Sequence, residues 1–333
     1  MNHESISSGF CKIVAIFLIL GICTNEIRAQ NDNDVKPLTY NEKELVQMAA
    51  EGEISPPVLN DPPYRVSPEG KLGVFPGTGS ITYNFRTGDS AFHIAADHVE
   101  PAVSIYNLGA SKSRGSRENV ALGVLSSIGN EARILTGNAT GAKGRVIGKH
   151  GGAEHIMVDF ADDVYDKLSI GDKIQIRTVG TGMKLLNIED VAVMNMSPTL
   201  MKAMTEAGMG VTADGRLRVH VTHKVPAKIM GSGLGRNHVY KGDYDINLFD
   251  ETTIEEYNLS TLRFGNIVAL IDADNTYGRV YQTGAISVGV VAHSRSFTAG
   301  HGPGVVTLFS SRKGNIDLVI DEDANLVNLL DIR

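Results

Sequence analysis

The amino-acid sequence predicts a mainly β protein of the α+β class, with a few short helices and two β-barrel or sandwich-like domains. Three observations predict it. Short runs rich in Ile, Val, Tyr and Phe alternate apolar with polar residues and are separated by Gly, Asn and Asp, as strands and turns do in barrels and sandwiches. Glycine numbers 36 among 333 residues, above the usual ~7%, as many turns with positive φ would require. Helical spacing is confined to short windows, and no period of ~20 to 50 residues recurs, which argues against a solenoid.

In chain order, residues 1–29 read as a secretory signal peptide. The apolar run Ile13 to Ile22 is too short to span a bilayer, and cleavage after Ala29 would place the protein in the periplasm or outside the cell. The alternatives are an uncleaved anchor and a lipoprotein acylated at Cys23, the latter opposed by the bulky Ile22 before it. Residues 30–66 read as a leader and arm. Gln30 to Pro37 is polar and flexible, Asn41 to Gly52 is a short helix with Leu45, Met48 and Ala49 on one face, and prolines 56, 57, 62, 63 and 68 follow. An N-terminal β domain is expected over 67–196. Its strands are Ile81–Phe85, Phe92–Ala96, Val103–Tyr106, Arg133–Leu135, His155–Phe160 and Lys173–Val179, with one helix near Glu118–Ile128. Ser197-Pro198, an N-cap followed by proline at the first helical position, opens a helix over Thr199–Ala207 that Gly208 ends. It also marks the start of a C-terminal β domain, 197–333. Strands there are Leu217–His223, Ile267–Ile271, Val280–Tyr281, Ala285–His293, Val305–Phe309 and Ile316–Ile320, with a short helix from Thr253 capped by Glu256.

Both cysteines, Cys11 and Cys23, fall in the signal segment, so the mature chain has no disulfide and relies on its core or on bound ions. The net charge is −7, with no long basic run and no Trp. This argues against nucleic acid or an anionic membrane surface as partner. No bilayer span is expected after signal cleavage, and a homo-oligomer remains open.

The chemistry concentrates in Gly231 to Asp245, G-S-G-L-G-R-N-H-V-Y-K-G-D-Y-D. Asp243 and Asp245, two apart, face one side of an extended chain. Two carboxylates side by side repel, which a cation between them relieves; the competing reading is a pair of solvated turn residues. Gly300-His301-Gly302-Pro303-Gly304 leaves His301 as the one reactive side chain of a tight turn. His223 shares the apolar face of its strand, either as a ligand or as a satisfied core histidine. A divalent ion, zinc being one choice, is therefore expected at His223, Asp243, Asp245 and His301. Asp97-His98-Val99-Glu100 puts oxygen and nitrogen donors at a strand end, with Asp97 or Glu100 as general base. The segment Gly137 to Gly152 lacks a phosphate-loop motif and reads as a glycine-turn hairpin, from which His150 is kept as a ligand-binding residue. Gly231, Gly233 and Gly235 offer backbone amides to a bound ligand or oxyanion. A cysteine nucleophile, a G-x-S-x-G elbow and an H-E-x-x-H helix are all absent from the mature chain.

The runs Lys228 to Gly235, Gly242 to Ile246, Gly300 to Gly304 and Lys149 to Gly152 resemble a bacterial and archaeal family known as domain of unknown function 4438. The resemblance spans about residues 70–325 and implies a largely β structure with no established activity. Leu168 to Ile176, with its I-G-D-K-I-Q-I turn and strand, and the late Gly-Asp-Tyr-Asp and Gly-His-Gly turns are more weakly similar to acetamidase/formamidase enzymes. That similarity implies a metal-dependent amidase. Two functions are expected on this basis: an exported metal-assisted hydrolase of an amide-like C–N bond in a small molecule, or a non-catalytic protein of the cell envelope that binds a small ligand or metal.

Overall fold

The computed structural model describes residues 35–59, 64–74 and 77–332, so the signal-peptide reading of residues 1–29 and the first leader residues lie outside the described residues. The chain is mainly β with short helices. Its strands are β1 (Met48–Ile54), β2 (Tyr64–Val66), β3 (Leu72–Val74), β4 (Ile81–Thr82), β5 (Ala102–Tyr106), β6 (Glu131–Ile134), β7 (Lys143–His150), β8 (His155–Phe160), β9 (Lys173–Thr178), β10 (Ala192–Val193), β11 (Gly210–Val211), β12 (Leu217–Val221), β13 (His223–Pro226), β14 (Ile267–Asp274), β15 (Val280–Val291), β16 (Val305–Ser311) and β17 (Ile316–Ile320).

Six strands close into a barrel. Its order is β1, β9, β6, β7, β8, β5 and back to β1, with β4 added beside β5. Closure leaves no free edge among the six. Alternation along β9 sends Ile174, Ile176 and Thr178 inward and Lys173, Gln175 and Arg177 outward. All of β8 is buried. The outer side of the neighbouring β7 faces the second half of the chain, where a Cβ on Gly148 would sit 3.0 Å from Ala292 Cβ. The second half forms a five-stranded sheet, β10-β16-β15-β14-β13, and a three-stranded one, β11-β12-β17. One hydrophobic cluster runs from barrel residues Ile54, Ile134 and Ile174 to Val288, Val306 and Phe309 of the five-stranded sheet, so the two halves share a core.

The helices at Arg117–Leu125 and Pro198–Glu206 form where expected, capped by Ser116 and Ser197, whose side chains accept from Asn119 N and Leu200 N. Four expectations are corrected. Residues 41–52 form no helix: after a 3-10 turn at Glu42–Glu44 the chain becomes β1, pairing with β9 and β5. Gly52 is there because a Cβ would lie 3.0 Å from both Leu122 Cδ2 and Tyr106 O. Phe92–Ala96 is not a strand. The helix Glu251–Glu256 is capped by Asp250, which accepts from Thr253 N, rather than by a box at Thr253. The expected strand 217–223 also breaks at Thr222, where the chain leaves β17 to run parallel to β14. Among the described residues no helix is long and apolar enough to cross a membrane.

Lys149 fastens the halves together. Its side chain is 1% exposed, and Nζ donates to Gly123 O (2.8 Å), Asn195 Oδ1 (2.7 Å) and Tyr240 O (2.8 Å). Burial pushes its pKa down to about 7, while the three acceptors match the three N–H bonds of the ammonium form.

Candidate metal centre

The next residue, His150, ends β7 at the seam between the halves. Opposite it, Gly242 to Ile246 runs antiparallel to Pro303–Val305 through Tyr244 N to Val305 O, Val305 N to Tyr244 O and Ile246 N to Pro303 O. The seam is tight: a Cβ on Gly242 would lie 2.6 Å from Gly151 Cα. Extended backbone makes Asp243 and Asp245 neighbours on one side. Each is held through a backbone amide, Gly151 N to Asp243 Oδ1 at 2.9 Å and Gly302 N to Asp245 Oδ2 at 3.4 Å. His293 follows β15, His301 sits in the Gly300–Gly304 turn, and His98 takes a positive φ of 51° in the loop before β5.

Six side chains gather here as two sets of three, His98 with Asp245 and His301, and His150 with Asp243 and His293. Within each set one nitrogen or oxygen atom per residue lies within 4.8 Å of the others. The sets adjoin, since the His150 and His293 ring centroids are 4.3 Å apart and those of His98 and His293 5.3 Å. Every imidazole has its Nδ1 against an acceptor. His98 faces Asp97, His150 faces Glu100 at 2.5 Å, His293 faces Ser294 O at 3.0 Å and His301 faces Ala299 O at 3.1 Å. A carbonyl or carboxylate partner calls for N–H at Nδ1, which leaves the lone pair on Nε2. Carboxylate- or carbonyl-backed histidines of this kind are the usual surroundings of a bound metal.

His293 is fully buried. Its Nε2 lies 2.8 Å from Asp243 Oδ2 and 3.6 Å from Asp245 Oδ1. The first separation is that of an ion pair, although neither atom has an aligned hydrogen-bond partner. Burial would lower the His293 pKa, but Asp243, and then Asp245, hold it well above the usual imidazole value. Burial would likewise raise Asp243, and the His293 charge holds it far below the usual carboxylate range. The carboxylates that raise His293 would equally attract a cation. Burial lowers the pKa of His98, against the pull of Asp97.

The residues expected to act meet different fates. Asp243, Asp245 and His301 come together, and His150 joins them. His223 does not: its Nδ1 meets Thr222 Oγ1 at 2.8 Å and its Nε2 meets Thr261 Oγ1 at 2.9 Å and Asn258 O at 3.2 Å, the partners of a satisfied core histidine. Asp97 and Glu100 stand behind imidazoles rather than beside a substrate. Asp97 also accepts from Ser296 Oγ and Phe297 N. Glu100 also accepts from His155 Nδ1, Gly79 N and Ser104 Oγ. Burial would raise Glu100, but the charge of His155 and the hydrogen bonds of both histidines keep it well below the usual range. Glu100 is fully buried among these donors, whereas Asp97, behind His98, also lines the cavity. Gly231 and Gly235 direct their amides to Asp245 O and Arg279 O, which removes them as donors to a ligand. Gly231 is needed for close approach, since a Cβ would overlap Gly300 O. Gly233 N enters none of the backbone hydrogen bonds of the described residues, and Gly233 lines the cavity that opens over the cluster, about 330 Å³ in volume. The sequence reading notes His98 as a donor of the Asp97–Glu100 cluster and His293 at the end of an apolar strand, but assigns neither to the expected ion. The Asp-His pair at 97–98 and the histidine following the apolar strand β15 were the signals available.

Fold and site together define a two-part β protein whose halves meet around a cluster of imidazoles and carboxylates. The chain belongs to the family described as domain of unknown function (DUF4438): the family's N-terminal model matches residues 64–202 and its C-terminal model residues 207–330. Each three-residue set thus draws one histidine from the first region and the rest from the second. Among solved structures the chain is similar to the one described as the crystal structure of TM1086, with a TM-score of 0.80 and 41% identity over 87% of this chain and 98% of that one. No curated protein matches.

Proposed function

We propose that the protein is a metal-dependent hydrolase that cleaves an amide-like C–N bond of a small molecule. One observation carries the reading: four imidazoles, each fixed through Nδ1, aim lone pairs into a space shared with two buried carboxylates. Nitrogen and oxygen donors without sulfur suit zinc or a similar divalent ion. Two sets of two histidines and one aspartate favour a pair of ions, as in two-metal hydrolytic sites. Such ions supply a water of lowered pKa and polarise a carbonyl group.

The protein's own part is to hold the donors and shape the cavity. Asp97 and Glu100 orient His98 and His150, and Gly151 N and Gly302 N orient the carboxylates. The Gly233 amide at the cavity wall is the donor best situated for an oxygen that gains charge. The acetamidase/formamidase-like turns favour an amide over other hydrolysable bonds. Action outside the cytoplasm rests on the sequence of residues 1–29.

Purified protein stripped with chelator and reloaded with zinc or manganese should take up about two equivalents and hydrolyse members of a panel of small amides. Asp243→Ala and His301→Ala should each lose bound metal. Absence of metal uptake by the parent, or parental uptake by both variants, overturns the metal reading. Metal uptake with no turnover of any amide overturns the hydrolase and leaves a binding protein.

A further inference from the structure

We infer that the ligand of this cavity carries an anionic group, a carboxylate or a phosphate, seated against Arg279 and Arg236 beside the candidate metal centre. The inference deepens the function proposed above and rests on it for the ions.

Arg279 is 3% exposed and lines the cavity. Its Nη2 donates to Gly242 O at 3.1 Å and its Nη1 reaches Gly233 O only at 3.5 Å, while Nε has no partner. Buried charges are ordinarily paired. The charges that act on Arg279 are those of Asp243 and Asp245, opposed by the like charge of Arg236. Divalent ions at the two sets would neutralise both carboxylates. Arg279 and Arg236 would then face the cavity with no anion between them.

Nothing else in the wall supplies one. Arg236 and Arg114 also line the cavity, and among the described residues neither has a carboxylate partner within ion-pair distance. Lys241 is already paired, 2.7 Å from Glu154. The cavity's carboxylates are Asp97, Asp243 and Asp245, all committed to imidazoles or the candidate ions. At about 330 Å³ the space is at the small end of ligand pockets, which fits a compact polar molecule. A planar carboxylate or a phosphate oxygen pair suits the guanidinium fork.

Calorimetric titration of zinc-loaded protein with succinate, with inorganic phosphate and with acetamide tests this. Succinate or phosphate should bind, and the better of the two identifies which anion the site takes. Affinity should fall about tenfold or more in Arg236→Gln, an exposed position, and in Arg279→Gln. Metal content, measured on the same samples, keeps the two readings apart. If the protein takes up no metal, the function proposed above fails, and the anion inference still requires binding that weakens in Arg236→Gln. If metal is taken up and anion affinity is unchanged in both arginine variants, the anions bind through the ions alone and the inference is overturned. Tighter binding of acetamide than of either anion also overturns it.

Discussion

Gly304→Ala probes the candidate centre without replacing any donor residue. A Cβ at this position would lie 2.0 Å from Asp243 Oδ2 and 2.4 Å from His293 Nε2. Ordinary contact needs 3.4 Å or more, so the two atoms must retreat by about 1 to 1.4 Å or the strand must move. The backbone is poorly placed to yield, because Gly304 O accepts from Ala292 N at 2.8 Å and the adjacent Val305 pairs with Tyr244 in both directions. Overpacking of this kind costs about 1–3 kcal/mol. Displacing first-coordination atoms by that distance exceeds a loss of outer support, which itself lowers metal affinity about 10–100-fold. The assay is metal-competition titration of stripped protein, with urea denaturation alongside. Gly284→Ala is the control: its φ is 82° with no atom within 4 Å of the added Cβ, so it strains the backbone while leaving the cluster alone. Gly304→Ala should lose at least tenfold in affinity beyond any loss in the control. Parental affinity in Gly304→Ala would refute the placement of a cation between Asp243 and His293.

Three further outcomes follow from the same contacts. Asp97→Asn removes the carboxylate behind His98 and should weaken one metal equivalent about 10–100-fold while the equivalent at the His150 set persists, read from a two-site titration. Metal binding must expel the His293 proton, so affinity should fall as pH falls below the raised His293 value, by about one log unit per pH unit. In metal-free protein the sign reverses for stability. The raised His293 contributes fully below its unfolded value of ~6.5 and loses that contribution as pH rises through the folded value, while the depressed Asp243 contributes above its unfolded ~3.9 and loses it on acidification. Melting scans should therefore show the metal-free form losing stability toward alkaline pH and the loaded form not doing so. Lys149→Met leaves Gly123 O, Asn195 Oδ1 and Tyr240 O without their donor, at about 1–3 kcal/mol for each acceptor left buried and unsatisfied, and should lower the urea midpoint; an unchanged midpoint would remove its role as a fastener.

Strands rich in apolar residues between turn signals were legible: His155–Phe160 and Ile316–Ile320 form where expected, the second even though its partner β12 lies about 100 residues earlier. β1 was not, because Leu45, Met48 and Ala49 fit helical spacing and only pairing with β9, more than a hundred residues later, decides otherwise. The site divides in the same way. Asp243 and Asp245 declare themselves by their spacing, and His301 by its glycines. His98 depends on Asp97, which is held by Ser296 and Phe297 about 200 residues away, and no local pattern carries that information. His223 misled because an imidazole on an apolar face looks alike whether it meets an ion or two hydroxyls and a carbonyl.

With ions bound as proposed, the seam at Gly151 and Gly242 would make each a rivet through two plates. Since each set takes a histidine from one half and its other donors from the second, an ion leaving by ligand-by-ligand release needs those halves to part slightly. Exchange of bound metal with free isotope should accordingly be slow and should speed up whenever the fastening at Lys149 is loosened, even though that side chain is not one of the donors. The rate at which metal comes out then becomes a clock for how often the two halves breathe.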